Sequence, residues 1–580
     1  MLFQHSAKLL KDDACPDLLE RRAPRACGRT PGKEEFVKAN INGSTHSAVV
    51  APGSRELADF FDAFAEMPHR GSGTPYEPRS ARILARKLAS ETGAHVDLEP
   101  FAVDLSSGTW GVAIHGILLV FGLAIIWCAG LASTFLRGPG ALATRLGWMG
   151  TVPIPYATAA FLWIMLLLGS RLFADYKSWN IASFFVPNAD SFNVIATDMP
   201  PLEQDPVKIR LAEQERWRLR FTDAQSAGTS RLVIVMAHYD SARQLPSDKT
   251  PRWLLAALKS GIGTLPTIAY CVLAGILFGV LVLGILNLND YVYSGTFGLV
   301  LSVFLLLAVI SALSFAAIEG FTAAKSSSLP FVQGMNDDFS GVAAAFQALK
   351  TTLAPAVGPG GQTAGSNVNQ GNGTRVMTVF TGAEENGLRG SALFAREVLT
   401  PAIDVFGAEN VELINLDTVS GGTLRLFSRE KNFTGATVGG QPEFGRAFWK
   451  WATGPIVSRS RAVSILTPSQ IQTCLRESGT SFSLNLELSE DPVPACTDLS
   501  GIWAGLPSRH RKTLRAFSIV SRVKSTEDPL ARPRDYHKQS DSVETLFLDA
   551  EPGNFGTVAA LAEVIGTYLA MGRKDRNSIT

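Results

Sequence analysis

An adjacent pair of acidic residues directly after a short apolar segment constrains this chain more than any other feature. Residues 376–380 have the sequence Val-Met-Thr-Val-Phe, which predicts a buried strand, and Glu384 and Glu385 follow a turn over residues 381–383. At a strand end, one carboxylate of such a pair can bind a metal ion while its neighbour stays free as a base. Charge stabilisation at the start of a helix is the simpler explanation. The choice depends on the other residues of the chain.

Two further segments predict strands that are followed by metal-binding residue types. Residues 231–237 are rich in β-branched residues and almost continuously apolar, as expected for a central strand, and His238 and Asp240 come next. A carboxylate in this position can hold the second ring nitrogen of a ligating histidine, although a histidine bonded only within the core is an equally reasonable alternative. Residues 411–416 predict another strand, which ends at Asp417. A weaker strand is predicted at residues 193–196.

Two loops add the remaining candidate ligands. Asp337 precedes an Ala-rich helix predicted over residues 341–352, where acidic residues could cap the helix or could bridge two metal ions. His537 and Asp541 lie in a polar loop before a closing helix predicted over residues 554–569. Two more helices are predicted from apolar spacing, one over residues 57–64 and one over residues 78–92. Nitrogen and oxygen ligands of this kind suit a pair of zinc ions.

Long uncharged segments indicate a membrane component. The chain has 580 residues, of which 46% are hydrophobic and only 18% are charged. Residues 111–136, 151–170, 260–289 and 291–318 carry no charged side chain, and each segment is long enough to cross a hydrocarbon core of about 30 Å. They predict two transmembrane helical hairpins, that is, four transmembrane helices, with fully buried core helices as the alternative.

The charged residues limit which partners are expected and bear on the orientation in the membrane. The net charge of +1, from 53 basic and 52 acidic residues, gives no reason to expect nucleic acid as a partner. We expect a multi-pass integral membrane protein in contact with the lipid bilayer. The side that carries the catalytic domain is undecided, because the basic residues beside the two hairpins favour opposite orientations. They are Lys249, Arg252, Lys259 and Lys325 beside the second hairpin and Arg137 and Arg145 in the first. Charge and composition do not predict the oligomeric state.

Five ordered motifs resemble those of the M28 zinc aminopeptidases. They are His-Tyr-Asp at 238–240, Asn-Asp-Asp-x-Ser-Gly at 336–341, Gly-Ala-Glu-Glu-x-Gly-Leu-x-Gly-Ser at 382–391, Asn-Leu-Asp at 415–417 and Tyr-His-x-x-x-Asp at 536–541. The resemblance covers most of residues 57–110, 176–260 and 321–572. It implies an α/β fold with the mixed central sheet of zinc exopeptidases, flanked by helices and interrupted here by the two transmembrane hairpins.

Carried over by motif position, the resemblance implies roles for seven side chains. Five would bind two zinc ions, with His238 and Asp417 on one ion, Glu385 and His537 on the other, and Asp337 bridging both. Glu384 would be the general base, and Asp240 would support His238. The implied function is a membrane-bound zinc exopeptidase that hydrolyses N-terminal residues from peptides with a metal-activated water. A glutaminyl-peptide cyclase-like acyltransferase and a non-catalytic membrane receptor or scaffold are the alternatives.

These motifs and segments also predict the domain organisation. In chain order, it comprises an N-terminal flexible tail (1–56), the opening helices of the peptidase domain (57–110), a first transmembrane hairpin (111–175), the first strands with the His-x-Asp motif (176–259), a second hairpin (260–320), the rest of the peptidase domain (321–572) and a C-terminal tail (573–580).

Overall fold

Strands with strongly apolar sequences form a mixed central sheet. The structure is a computed structural model, and it describes residues 54–104, 188–201, 212–244, 329–353, 373–420, 422–431, 437–453, 486–490, 492, 497–522, 537–542 and 553–571. The strands in these residues are β1 (His95–Asp104), β2 (Asn188–Thr197), β3 (Arg231–His238), β4 (Thr374–Thr381), β5 (Val411–Asp417), β6 (Thr423–Phe427), β7 (Arg429–Lys431), β8 (Thr437–Gly439), β9 (Leu486–Ser489) and β10 (Arg515–Arg522). Strands β7 and β8 pair separately, and the other eight pair in the order β1-β2-β4-β3-β5-β10-β6-β9.

Four neighbouring strands of the sheet run parallel. Strand β3 is parallel to both β4 and β5, and β10 is parallel to β5, whereas β2 and β6 are antiparallel to their partners on either side of this group. Every residue of β3 is buried, as expected for a parallel strand covered on both faces. His238 pairs in register with Thr381. The carboxyl ends of β3, β4 and β5 therefore meet at one edge of the sheet.

Helices cover both faces of the sheet. In the described residues, the helices are α1 (Ser54–Ala65), α2 (Tyr76–Thr92), α3 (Glu213–Ser226), α4 (Phe339–Leu353), α5 (Arg389–Phe394), a π-helical turn (Ala395–Leu399), α6 (Thr400–Phe406), a 3-10 turn (Ala408–Asn410), α7 (Pro442–Thr453), α8 (Asp498–Gly505), α9 (Ser508–Arg511) and α10 (Gly553–Ala570). Alternate side chains of β3 point to opposite faces, so the sheet separates two hydrophobic cores.

The larger core joins α1, α2, α4, α7 and α10 to one face of the sheet. Phe60 of α1 stacks on Phe339 of α4 with ring centroids 5.4 Å apart and meets Phe346 at 4.6 Å. Each such buried side chain contributes about 1.5–3 kcal/mol relative to an exposed one. The smaller core joins α3, α5, α6 and α8 to the other face. Helix α4, which begins next to the loop that carries Asp337, is thus fixed under the carboxyl edge of the sheet.

The structure confirms the predicted strands and helices in these ranges. Strands β2 to β5 contain the four segments predicted from apolar sequence. Helices α1, α2, α4 and α10 contain or overlap the four predicted helices, with ends that differ by up to three residues. Such differences are ordinary because helix ends depend on local capping. Of the predicted N-terminal tail, residues 1–53 lie outside the described residues, and α1 begins at Ser54.

The prediction of four transmembrane helices is wrong for the part of the chain that the structure describes. No helix in the described ranges is both long enough and apolar enough to cross a membrane. The predicted hairpins at 111–175 and 260–320 lie outside these ranges. The prediction rested on an apolar composition and on uncharged segments long enough to cross a bilayer. Helix α4 shows that little charge also suits a core helix, because Lys350 is its single charged residue and it packs within the protein core. The expected multi-pass membrane localisation and the expected lipid partner rested on the same segments and are corrected with them.

Candidate metal centre

Three segments bring the first group of predicted ligands together at the carboxyl edge of the sheet. His238 ends β3, Asp417 ends β5, and Asp337 lies just before α4. One ligand atom of each residue lies within 4.8 Å of the other two, and all three residues are in positions suited to holding a metal ion. His238 Nε2 is 3.4 Å from Asp337 Oδ1. The parallel register of β3 and β5 produces this group, because it brings the two strand ends side by side.

A second group forms on the other oxygen of Asp337. Ligand atoms of Asp337, Glu385 and His537 also lie within 4.8 Å of one another. His537 Nε2 is 3.0 Å from Glu385 Oε1 and 3.1 Å from Asp337 Oδ2. His537 has a φ of 52°, so it turns its ring from a left-handed backbone position. The two oxygens of Asp337 therefore face two different histidine-containing groups.

Glu384 lies beside both groups but belongs to neither. Its side chain is buried, and its Oε2 lies 3.9 Å from His238 Nε2. It forms a third close group with His238 and Glu385. Burial raises the pKa of Glu384 well above its usual range; His238 opposes the rise, and the carboxylate of Glu385 adds to it. A carboxylate with a raised pKa is a stronger base than an exposed one.

The pKa values in the cluster reflect acidic side chains that lie close together in a buried position. Burial raises the pKa of Asp417 to about 7, with His238 opposing the rise and Asp337 adding to it. For His537, burial lowers the pKa, but the carboxylates of Glu385 and Asp337 outweigh it and raise the value to about 10. Acids that repel one another when ionised are stabilised by a nearby cation. Imidazole and carboxylate donors in this number suit zinc, so the residues present fit the metal that the sequence suggests.

Asp240 connects His238 to the acidic turn, which we define as residues 381–385. Asp240 Oδ1 accepts a hydrogen bond from the Glu384 N–H at 3.0 Å and lies 3.5 Å from His238 Nδ1. Its Oδ2 accepts from the Glu385 N–H at 3.2 Å and from the Ser72 hydroxyl at 2.6 Å. The contact with His238 was expected from sequence, whereas the bonds to the acidic turn were not. One carboxylate thus holds the backbone of both acidic residues.

Asp338 is a site residue that the sequence reasoning missed. It is fully buried, and the peptide bond between Asp337 and Asp338 is cis. Its carboxylate accepts three backbone N–H groups, from His238 at 3.2 Å, Gly341 at 3.1 Å and Thr418 at 2.7 Å. It therefore ties the ends of β3 and β5 to the first turn of α4. The doubled aspartate was the available signal, but either acid of the pair could have been the ligand.

Asp541 fixes the loop that presents His537. Its carboxylate accepts the backbone N–H groups of Asn336 and, at 3.1 Å, of Asp337, and its backbone carbonyl accepts from the Gly334 N–H at 3.1 Å. Residues 537–542 are thereby attached to the loop that carries Asp337. This contact explains how a histidine from the far end of the sequence is held at the sheet edge.

Buried imidazole and carboxylate groups at the carboxyl edge of a mixed α/β sheet define the candidate site of a metal-dependent hydrolase. Residues 323–452 match the family model of peptidase family M28. The matched stretch includes Asp337, Glu384, Glu385 and Asp417, whereas His238 and His537 lie outside it. The match over this part of the chain confirms the expected resemblance to the M28 family and supports a peptidase-like hydrolase.

Several solved structures are similar to this chain at low identity, whereas no curated protein matches it. An aminopeptidase from Aneurinibacillus sp. strain AM-1 is 13% identical with a TM-score of 0.36, covering 90% of this chain and 94% of its own. BSAP, a zinc aminopeptidase from Bacillus subtilis, is 11% identical with a TM-score of 0.38, covering 90% and 96%. The glutaminyl cyclase of Macrostomum lignano is 9% identical with a TM-score of 0.39, covering 94% and 95%. The resemblance to the M28 family rests on the family match and not on these structures.

Proposed function

We propose that this protein is a two-zinc exopeptidase that removes N-terminal residues from peptides. The observation that carries the proposal is the placement of Asp337, whose two oxygens face separate groups, one with His238 and one with His537. His238 and Asp417 would hold one ion, Glu385 and His537 the other, and Asp337 would bridge them. Bound zinc would supply Lewis acidity at this edge of the sheet.

Glu384 would serve as the general base. Its carboxylate is buried beside the ligand groups, and Asp240 holds its backbone N–H, so the side chain leaves the acidic turn in a fixed direction. A carboxylate with a raised pKa can take a proton from an attacking water and return it to the amine that leaves. Glu384 would therefore move protons, while its neighbour Glu385 would bind metal.

A substrate panel tests this function against the cyclase alternative. The full chain is supplied with zinc and assayed on aminoacyl anilides, on peptides with free and acetylated N-termini, and on peptides that begin with glutamine. We expect release of N-terminal residues only from free N-termini, and loss of this activity with a chelator. Formation of pyroglutamate without hydrolysis would favour the cyclase. Hydrolysis that is equal for acetylated peptides would contradict the assignment as an exopeptidase.

A further inference from the structure

The segment of residues 69–77, which we name the opening segment, packs against the loop that follows β3. The backbone N–H of Arg70 donates to Ser241 Oγ at 2.9 Å, and the Arg70 Nε donates to the Tyr239 carbonyl at 2.8 Å. Ser72 reaches Asp240 through the hydrogen bond already described. A part of the chain far from the metal-binding motifs in sequence thus lies directly behind the candidate metal centre.

Glu77 is the residue of this segment that reaches the acidic turn itself. It is fully buried at the start of α2. Its Oε1 accepts the Ser191 hydroxyl of β2, and its Oε2 accepts the Gly73 N–H at 2.7 Å. Burial raises the pKa of this carboxyl group to about 8, and the nearby backbone N–H of Ala383 is one of the groups that oppose the rise. Glu77 therefore joins the opening segment, β2 and the acidic turn.

Two carboxylates lie beside three successive N–H groups of this turn. Glu77 lies beside the N–H of Ala383, and Asp240 accepts hydrogen bonds from those of Glu384 and Glu385. Ala383 has a φ of 53°, a left-handed conformation that persists for a residue with a side chain only where its surroundings hold it. Consecutive N–H groups in such a turn point together and bind anions. The direction in which the Glu384 side chain leaves the backbone depends on both carboxylates.

The neighbouring glycine shows how closely the turn is confined. A Cβ atom at Gly382 would lie 2.4 Å from Ser191 Oγ and 2.6 Å from the Phe192 carbonyl oxygen. Ser191 is also the residue whose hydroxyl bonds to Glu77. The turn is therefore confined by Ser191 of β2 at Gly382, and Glu77 holds the Ser191 hydroxyl. Loss of the bond from Ser191 to Glu77 would free the side chain against which Gly382 packs.

We propose that Glu77 is a positioning residue for Glu384. Through Ser191, which packs against Gly382, it confines the acidic turn, and thereby the direction of the general base, without binding metal itself. This inference rests on the proposed function for its effect on turnover, and on the contacts of Glu77 alone for its effect on the turn. The alternative is a purely structural role, in which Glu77 only ties the start of α2 to strand β2 and the turn keeps its conformation without it.

The test compares Glu77→Leu with Glu77→Gln in the full chain. Leucine fills the space without accepting a hydrogen bond, whereas the glutamine oxygen can still accept from backbone N–H groups. We expect Glu77→Leu to lower kcat about 10- to 100-fold, as outer contacts of metal sites do, while KM and the zinc content stay within twofold of the wild type. Glu77→Gln should restore most of the lost kcat. Equal kcat in the wild type and a folded Glu77→Leu variant would overturn the proposal.

Glu412→Gln is the control for a loss of stability alone, because Glu412 is equally buried but lies near the start of β5. It should lower the thermal midpoint without changing kcat. If Glu77→Leu does not fold, Glu77→Asp takes its place, since it withdraws the carboxylate by about 1.5 Å and should lower kcat with an unchanged KM. A fall in kcat that also occurs in Glu412→Gln would reduce Glu77 to a structural role.

Hydrogen–deuterium exchange separates this inference from the proposed function. In metal-free protein, the amides of residues 383–385 should exchange about tenfold faster in Glu77→Leu than in the wild type, and at the wild-type rate in Glu412→Gln. This result is expected even if the chain hydrolyses none of the peptides tested. Unchanged exchange at residues 383–385 in Glu77→Leu would contradict the positioning role whatever the activity assay shows.

Discussion

The two ends of strand β5 lie in buried polar clusters of opposite composition. Near its start, Glu412 contacts two arginines, Arg231 and Arg515, the latter at 3.0 Å, and accepts the Tyr568 hydroxyl at 3.0 Å. At its end, Asp417 lies with His238 and a second acid, Asp337. Glu412 and Asp417 lie five positions apart, or roughly 16 Å along the strand. One strand thus carries an arginine-paired acid at one end and an acid-rich cluster at the other.

The difference distinguishes a stabilising cluster from a functional one. A buried carboxylate paired with arginine keeps its charge, and removing one partner leaves an unpaired charge in the core. A buried carboxylate that faces other acids has a raised pKa, as Asp417 does, and a cation would relieve the repulsion. Groups with perturbed pKa values in such a position are candidates for function. The comparison predicts that changes at the two ends of β5 affect different measurements.

The largest expected effect belongs to the base at the acid-rich end. Glu384→Gln keeps the shape of the side chain and removes only its ability to take a proton. We expect kcat to fall about 10²- to 10⁴-fold, the usual range for general acid–base catalysis, while the zinc content remains that of the wild type. Steady-state kinetics and metal analysis of the purified variant measure both. More than a tenth of the wild-type kcat would rule out Glu384 as the base.

A change at the arginine-paired end of β5, at Glu412, should alter stability instead. Glu412→Gln leaves two arginines facing a neutral amide in a buried place. We expect the free energy of unfolding to fall by about 3 kcal/mol, as for other broken buried ion clusters, with kcat unchanged. Urea unfolding followed by circular dichroism measures the loss. Unchanged stability together with lost activity would reverse the roles assigned to the two ends.

A smaller effect is expected at Asp338, which holds the ligands without binding metal. Asp338→Asn places an NH2 group against at least one of three backbone N–H donors, so the ends of β3 and β5 lose part of their alignment. We expect zinc affinity to weaken about 10- to 100-fold. Asp198→Asn is the matched control, because Asp198 also accepts a backbone N–H, from Val376 at the opposite end of β4. Similar zinc affinity in the two variants would argue against this role of Asp338.

An exposed ion pair should show the smallest effect. Glu487 on β9 contacts Arg425 at 2.9 Å, but both side chains are largely exposed to solvent. We expect Glu487→Gln to change the free energy of unfolding by less than about 0.5 kcal/mol and to leave kcat and zinc content unaltered. If Glu487→Gln lost several kcal/mol of unfolding free energy, an exposed ion pair would matter as much as a buried one. Burial would then not explain the effects expected at the two ends of β5.

Sequence reasoning predicted the parts of the fold that depend on local pattern. Strands β2 to β5 and helices α1, α2, α4 and α10 follow from apolar spacing, and the candidate ligands at the strand ends could be chosen by residue type. Their roles remain predictions. Asp338 and Glu77 could not be found in this way, because each acts through groups distant in sequence that only the folded chain brings near, such as Thr418 for Asp338 and Ser191 for Glu77. Missing charge in a long segment, by contrast, does not specify a membrane crossing.

The most direct test of the central claim is the number of zinc ions that each chain holds. The wild-type protein and His537→Ala are loaded with zinc, passed through a desalting column and analysed for metal and protein. We expect two ions per chain in the wild type. His537→Ala should retain one, because only the group with Glu385 loses a direct ligand. A single ion per wild-type chain, or equal loss of both ions in the variant, would contradict the two-metal account.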